Sequence, residues 1–186
     1  MDELFPLVNN NGEVTGCATR NECHSGSKLL HPVVHLHVFN KKGEILLQKR
    51  SMNKDIQPGK WDTSVGGHVD YGETVEEALF REVREELGII SFVPQFVCSY
   101  IFESEVEREL VYAHMTIVET SIHFNPDEID EVRFWTTEEI EESWGKGVFT
   151  PNFEGEWRKI QLYTFSKQNQ TTFGSGMPPF CEFPCT

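Results

Sequence analysis

The chain has 186 residues, 38% apolar and 25% charged, enough for one domain with a full core and short for two. Its formal net charge of -14 comes without a basic stripe, which disfavours a nucleic-acid polymer as partner and suits a protein that meets anionic ligands through cations. No stretch approaches the ~20 apolar residues that span a bilayer, and the acidic start MDELFPLVNNNGE lacks a signal-peptide layout, so a cytoplasmic protein without a membrane partner is expected.

From the N-terminus, LFPLVNNNGEVTG reads as a strand, a turn at Asn10-Asn11-Gly12 and a return strand. HPVVHLHVFN alternates apolar residues with His and Asn, and Lys41-Lys42-Gly43 turns it into EILLQKR, a hairpin or meander. SMNKDIQPGKWD is a polar loop closed by Pro58-Gly59, and DTSVGGHV is a short strand ending in glycines. Thr74 to Leu87 is a helix, with Thr74 and Glu77 as capping box and Gly88 as its stop. FVPQFVCSYIF and ELVYAHMTIVET form two long strands around SEVERE. DEVRFWTTEEIEE runs from strand into helix with Thr136 or Thr137 as cap, and FEGEWRKIQLYTFSKQ is a second long amphipathic helix. This order gives a mixed α/β fold, a sheet with helices on either side. One domain over 1–168 is expected, followed by a loosely ordered tail over 169–186, rich in Gly, Pro and Ser. The cysteines, Cys17, Cys23, Cys98, Cys181 and Cys185, are odd in number and lack a CxxC pair, which argues against a disulfide framework.

Seven residues take about two helical turns with a drift of only ~20°. Glu82 therefore lies over Val75, and Glu86 over Leu79, on one inward stripe. Glu85 is offset to one side, while Glu77 and Arg84 face solvent. Solvated faces explain most acidic helices, but this stripe is turned inward, where like charges are costly without a cation. Mg2+ or Mn2+ takes such clustered oxygens, and metal-bound phosphates are a common target of them.

The run GHVDYGETVEEALFREVREELGI sets Gly67, Glu73, Arg81, Glu82, Glu85, Glu86 and Gly88 at the spacing of the Nudix box, and the chain resembles that family without a departure in the motif. The resemblance implies the Nudix fold, a mixed β-sheet sandwiched between α-helices. It also implies Mg2+ or Mn2+ held by Glu82, Glu85 and Glu86, with a backbone carbonyl at Gly66 or Gly67. Glu73 and Arg81 would pair across the glycine loop and hold it in place.

Beyond the box, from about Asn9 to Gln161, the chain is similar to type I isopentenyl diphosphate isomerase, a Nudix-fold enzyme. That resemblance implies a second site for a transition-metal ion, Mn2+, Fe2+ or Zn2+, at His24, His31, His68, Glu107 and Glu109. Taken singly these are weak signals, and SEVERE alone reads as a solvated loop; two apart on a strand, however, Glu107 and Glu109 would share a face. Arg50 and Lys54 match positions that contact the diphosphate, Trp61 reads as packing, and His35 and His37 read as structural. One departure separates the chain from the isomerases: their proton-transferring cysteine, just before the box glycine, is here Gly66. Without it, isomerisation of an alkene is disfavoured.

The expected function is metal-dependent hydrolysis of the diphosphate linkage of a nucleoside diphosphate derivative or related organic diphosphate, a small-molecule partner. A box glutamate such as Glu82, or a loop acid such as Glu107 or Glu109, would be the base. An isomerase-like enzyme and a ligand-sensing Nudix module without catalysis are the alternatives, and the resemblance leaves room for a homodimer.

Overall fold

Strands β1 (Leu4–Val8) and β2 (Val14–Thr19) pair antiparallel about the Asn10–Gly12 turn and form a two-stranded sheet of their own. The short helix α1 (Arg20–Cys23) follows, opened by a capping box of Thr19 and Glu22. The computed structural model describes residues 2–54 and 56–172, with side chains through Thr164; Cys181 and Cys185 lie outside the described residues.

β3 (Leu30–Phe39) is buried at all of its positions because it runs through the middle of a seven-stranded sheet. Its alternation sorts the two faces. Val34, Leu36 and Val38 join the core with α2 (Val75–Leu87), and Phe39 joins the second core with α4 (Pro151–Thr172). The hairpin expected between β3 and β4 (Ile45–Arg50) is reduced to one pair, Phe39 with Ile45. Other strands take the flanks of β3. β6 (Val65–His68) pairs with it antiparallel, and β8 (Arg108–Ile117) pairs with it parallel from Leu30–Arg108 to Phe39–Ile117. Such pairing between distant segments has no local signature.

β7 (Gln95–Glu103) closes that side of the sheet against β8. It begins later than the apolar run suggests, because Phe92 packs into the α2 core and Pro94 has no N–H to give a ladder. On the other side β4 pairs with β5 (Trp61–Asp62) and β9 (Ile129–Trp135). Trp61 packs edge-on against Trp135, as its packing role requires. Thr136 caps α3 (Thr137–Ser143), and α4 runs on to Thr172, past the expected domain edge at residue 168. Helices therefore cover both faces of the sheet, and among the described residues no helix is long and apolar enough to cross a membrane.

Candidate active site

α2 carries the box because both of its ends are locally determined. Thr74 and Glu77 exchange the capping-box hydrogen bonds, and Gly88 ends the helix in the left-handed region at φ 65°. The inward stripe turns from apolar to acidic as expected: Leu79 and Val83 lie in the core, and Glu86 is only 5% exposed. Gln48 of β4 donates to Glu86 at 2.9 Å. Burial, then the charges of Glu82 and Glu128, push the Glu86 carboxyl up to about 8. Glu82 is also raised by burial, an effect opposed by Arg81, and Glu85 stands exposed at the rim.

Gly67 is required by this packing. A Cβ there would lie 2.0 Å from the Glu82 carboxyl carbon, so only glycine lets strand and carboxylate meet. Gly67→Ala should swing Glu82 away and, with Glu82 in the role the sequence resemblance implies, lower hydrolysis by about 10²-fold, since misplacing a reacting group by ~1 Å costs that much. The melting temperature should hardly move, because the atoms displaced are the end of a flexible side chain; a large fall in melting temperature would point to backbone distortion instead.

Arg81 organises the acidic set. It grips Glu73 with two hydrogen bonds of 2.9 and 2.8 Å, donates to Glu82 at 2.7 Å, and reaches the His68 carbonyl at 2.9 Å. The Arg81 hydrogen bond holds the Glu73 carboxyl below its ordinary value. The expected Glu73–Arg81 pair thus forms, and it extends to strand β6.

A fourth carboxylate, Glu128, escaped the sequence reading. The Asn125 N–H donates to the Glu86 carbonyl, and the Asn125 carbonyl accepts from the Glu128 N–H, so the turn before β9 is pinned to the end of α2. Glu128 pairs with Lys54 at 3.0 Å. Only the folded turn brings it here, and a lone acid before a strand gives no sequence signal.

The histidines gather on the other face of the sheet. Gly66, unlike Gly67, faces His35, so the two consecutive glycines look toward opposite sides of the sheet. His24 follows α1, His31 comes from β3 and His68 from β6, and one ligand atom of each lies within 4.8 Å of the others. The His24 and His68 Nε2 atoms are 3.1 Å apart. His31 is fixed through Nδ1 by the Leu29 carbonyl at 2.9 Å, while its buried Nε2 has no hydrogen-bond partner. Burial first, then Arg20, lowers His24 to about 4 and His68 well below its ordinary value; burial also lowers His31. Three neutral imidazoles result, the form that ligates metals. Glu107 and Glu109 join them, 3.7 Å from His24 and 4.0 Å from His68. Both acids are buried, at 7% and 8% exposure, which corrects the reading of SEVERE as a solvated loop. Only Glu109 is on β8; Glu107 precedes it. Burial raises both carboxyls, and Glu107 raises Glu109 further.

The two candidate phosphate contacts diverge. Lys54 lies with Glu128 and Glu86, whereas Arg50 is held by the Ile56 carbonyl and by Asp62 at 3.3 Å and acts electrostatically on Glu107 and Glu109.

The family model described as NUDIX domain matches residues 29–153. An uncharacterised Nudix hydrolase of Listeria monocytogenes is 35% identical over 158 residues, covering 81% of this chain and 90% of that protein. Isopentenyl-diphosphate Delta-isomerase 1 of Photorhabdus laumondii is 28% identical over 173 residues, covering 89% of this chain and 98% of the isomerase. Among solved structures, a Deinococcus radiodurans protein superposes with a TM-score of 0.74 at 27% identity, covering 84% of this chain and 98% of that one.

Proposed function

The chain belongs to the Nudix family and is a hydrolase acting on pyrophosphate bonds, and from this we propose that it cleaves the diphosphate linkage of a nucleoside diphosphate derivative or related organic diphosphate, with Mg2+ or Mn2+ at Glu82, Glu85, Glu86 and the Gly66 carbonyl. One observation carries the reading. Glu86 is an almost wholly buried acid beside Glu82, with Gln48 as its neutral partner, an arrangement that a hard divalent cation would stabilise. The buried, unpartnered Nε2 of His31 supports in the same way a second, transition-metal ion at His24, His31, His68, Glu107 and Glu109.

Glu82, Glu85 and Glu86 would hold the cation, which when bound would supply polarisation of the phosphorus and a lowered pKa for an attacking water. The chain's own groups do the rest. Arg81 orients Glu82, and Glu73 holds Arg81. Glu82, whose burial strengthens its hold on a proton, is assigned as the base that takes the water proton. The water oxygen bonds to phosphorus, the bond to the bridging oxygen breaks, and the leaving phosphate keeps the electron pair. Lys54 would trade Glu128 for a phosphate oxygen, and Arg50 would meet the substrate from the histidine side.

The test is phosphate release across dinucleotides, nucleotide sugars, nucleoside triphosphates and prenyl diphosphates, with Mg2+ and Mn2+ compared. Turnover of at least one organic diphosphate, abolished by chelator, is expected; silence on every panel overturns the reading. The histidine–glutamate set and the Photorhabdus relative favour a second reading as an isomerase. Gly66 weighs against it, and isomerisation of isopentenyl diphosphate at rates matching the best hydrolysis would reverse the order.

A further inference from the structure

Strand β6 touches both sets of candidate metal ligands. Gly67 lies against the Glu82 carboxyl, and the next residue, His68, turns its ring into the histidine set. Phe5 of β1 stacks on that ring at 4.3 Å with the planes 1° apart. The carbonyl of the same His68 accepts from Arg81 Nη2 at 2.9 Å, and that nitrogen also donates to Glu73 at 2.8 Å. The second terminal nitrogen, Nη1, donates to Glu82 at 2.7 Å. One stretch of backbone and one guanidinium therefore separate a histidine of one set from a glutamate of the other.

A second link runs in parallel. The hairpin of β1 and β2 leads through α1 to His24, and the Leu4 carbonyl of β1 accepts the Tyr71 N–H at 2.8 Å. Tyr71 lies in the loop from His68 to Glu73, where Glu73 Oε2 accepts the Asp70 N–H at 3.1 Å. Two of the three histidines thus come from segments tied to the loop that carries Glu73. The side chains of Arg81, Glu73 and Glu82 are less than a quarter exposed, so water does little to loosen the link.

We infer that His68 is a positioning residue of the box: with a transition-metal ion on the histidine set, its backbone holds Arg81, and through it Glu73 and Glu82, in the geometry the box cation needs, so that the two sites fill cooperatively. The inference rests on the hydrolase reading with its two metal sites and adds the coupling between them. Ordering the end of β6 and the loop to Glu73 serves both sets, so the first ion bound bears a cost that the second is spared. The carboxylates of each set offset the charge of their own ion, which leaves ordering to decide the sign. Such coupling is reciprocal, and each ion raises affinity for the other by the same factor.

Calorimetry on the full chain measures Mg2+ binding before and after loading with one equivalent of Zn2+, and a chromophoric chelator measures Zn2+ affinity with and without saturating Mg2+. Imidazoles select Zn2+ and an all-oxygen set takes Mg2+, so the two ions report separate sites. Each should tighten the other by about tenfold. His24→Gln, which takes a ligand from the histidine set and leaves the Arg81 bonds in place, should need far more Zn2+ before Mg2+ binding tightens. Arg81→Lys, a point charge that cannot hold Glu73, Glu82 and the His68 carbonyl at once, should abolish the mutual effect. If that variant binds Mg2+ more weakly yet keeps the mutual effect, Arg81 only braces the box and the inference is overturned. Two ions that both bind without influencing each other overturn it as well and leave the hydrolase reading standing. A chain that hydrolyses diphosphates with Mg2+ but takes up no Zn2+ loses the histidine site, and the inference with it. Zn2+ uptake with neither Mg2+ binding nor hydrolysis overturns the hydrolase reading itself.

Discussion

Replacing Glu86 by glutamine lowers kcat/KM for diphosphate hydrolysis by about 10³-fold, the scale at which losing one preorganised electrostatic group at a reacting centre is felt. The same change should raise the melting temperature of the metal-free protein at pH 8. Glu86 binds its proton more tightly in the folded chain, near 8, than an ordinary glutamate does when unfolded. Between those values the folded state holds more protons, so metal-free stability declines as pH climbs from about 4.5 toward 8. Glutamine removes that slope, and Mg2+ or Mn2+ should restore wild-type stability most strongly at the alkaline end. Melting curves from pH 5 to 9, with chelator and with cation, check this. A Glu86→Gln protein that keeps its hydrolysis would remove the metal chemistry from α2.

The second large effect is on the fold. Glu156 sits between His35 at 2.8 Å and His37 at 3.1 Å, the latter poorly aligned for a hydrogen bond, and all three groups are buried. Burial opposes charge on His35 and on Glu156, yet the pairing prevails: His35 is lifted to about 9, and Glu156 is held well below the carboxylate range. Glu156→Gln breaks a buried ion pair from one side, at a cost of about 3–5 kcal/mol, or roughly 10 °C in melting temperature for a chain of this size. The His35 contribution is fully present below its unfolded pKa and is lost as pH rises through about 9, while the Glu156 contribution persists down to strongly acid pH. The variant's deficit should therefore be largest near pH 6 and shrink by pH 10. A deficit independent of pH would show that packing, not charge, holds α4 to the sheet.

How much of this was legible in the sequence divides along contact range. Helix α2, its Thr74 and Gly88 ends, the inward turn of Glu82 and Glu86 and the Glu73–Arg81 pair follow from spacings of a few residues, which helical geometry converts directly into direction. Thr136 as cap and the strand preceding it follow in the same way. His24, His31, His68, Glu107 and Glu109 were found by resemblance, since no periodicity links a helix cap, three strands and a loop.

By itself, then, the sequence determined the box helix, the acids along it and the absence of a thiol at Gly66, because each is a matter of residue type and local spacing. Tertiary structure alone decided which side of the sheet each glycine faces, that Glu128 joins the box acids, and that Glu156 reaches His35 from 121 residues away. Those depend on the parallel pairing of β3 with β8 and on the docking of α4, contacts between distant segments whose register is set by burying both faces of one sheet at once.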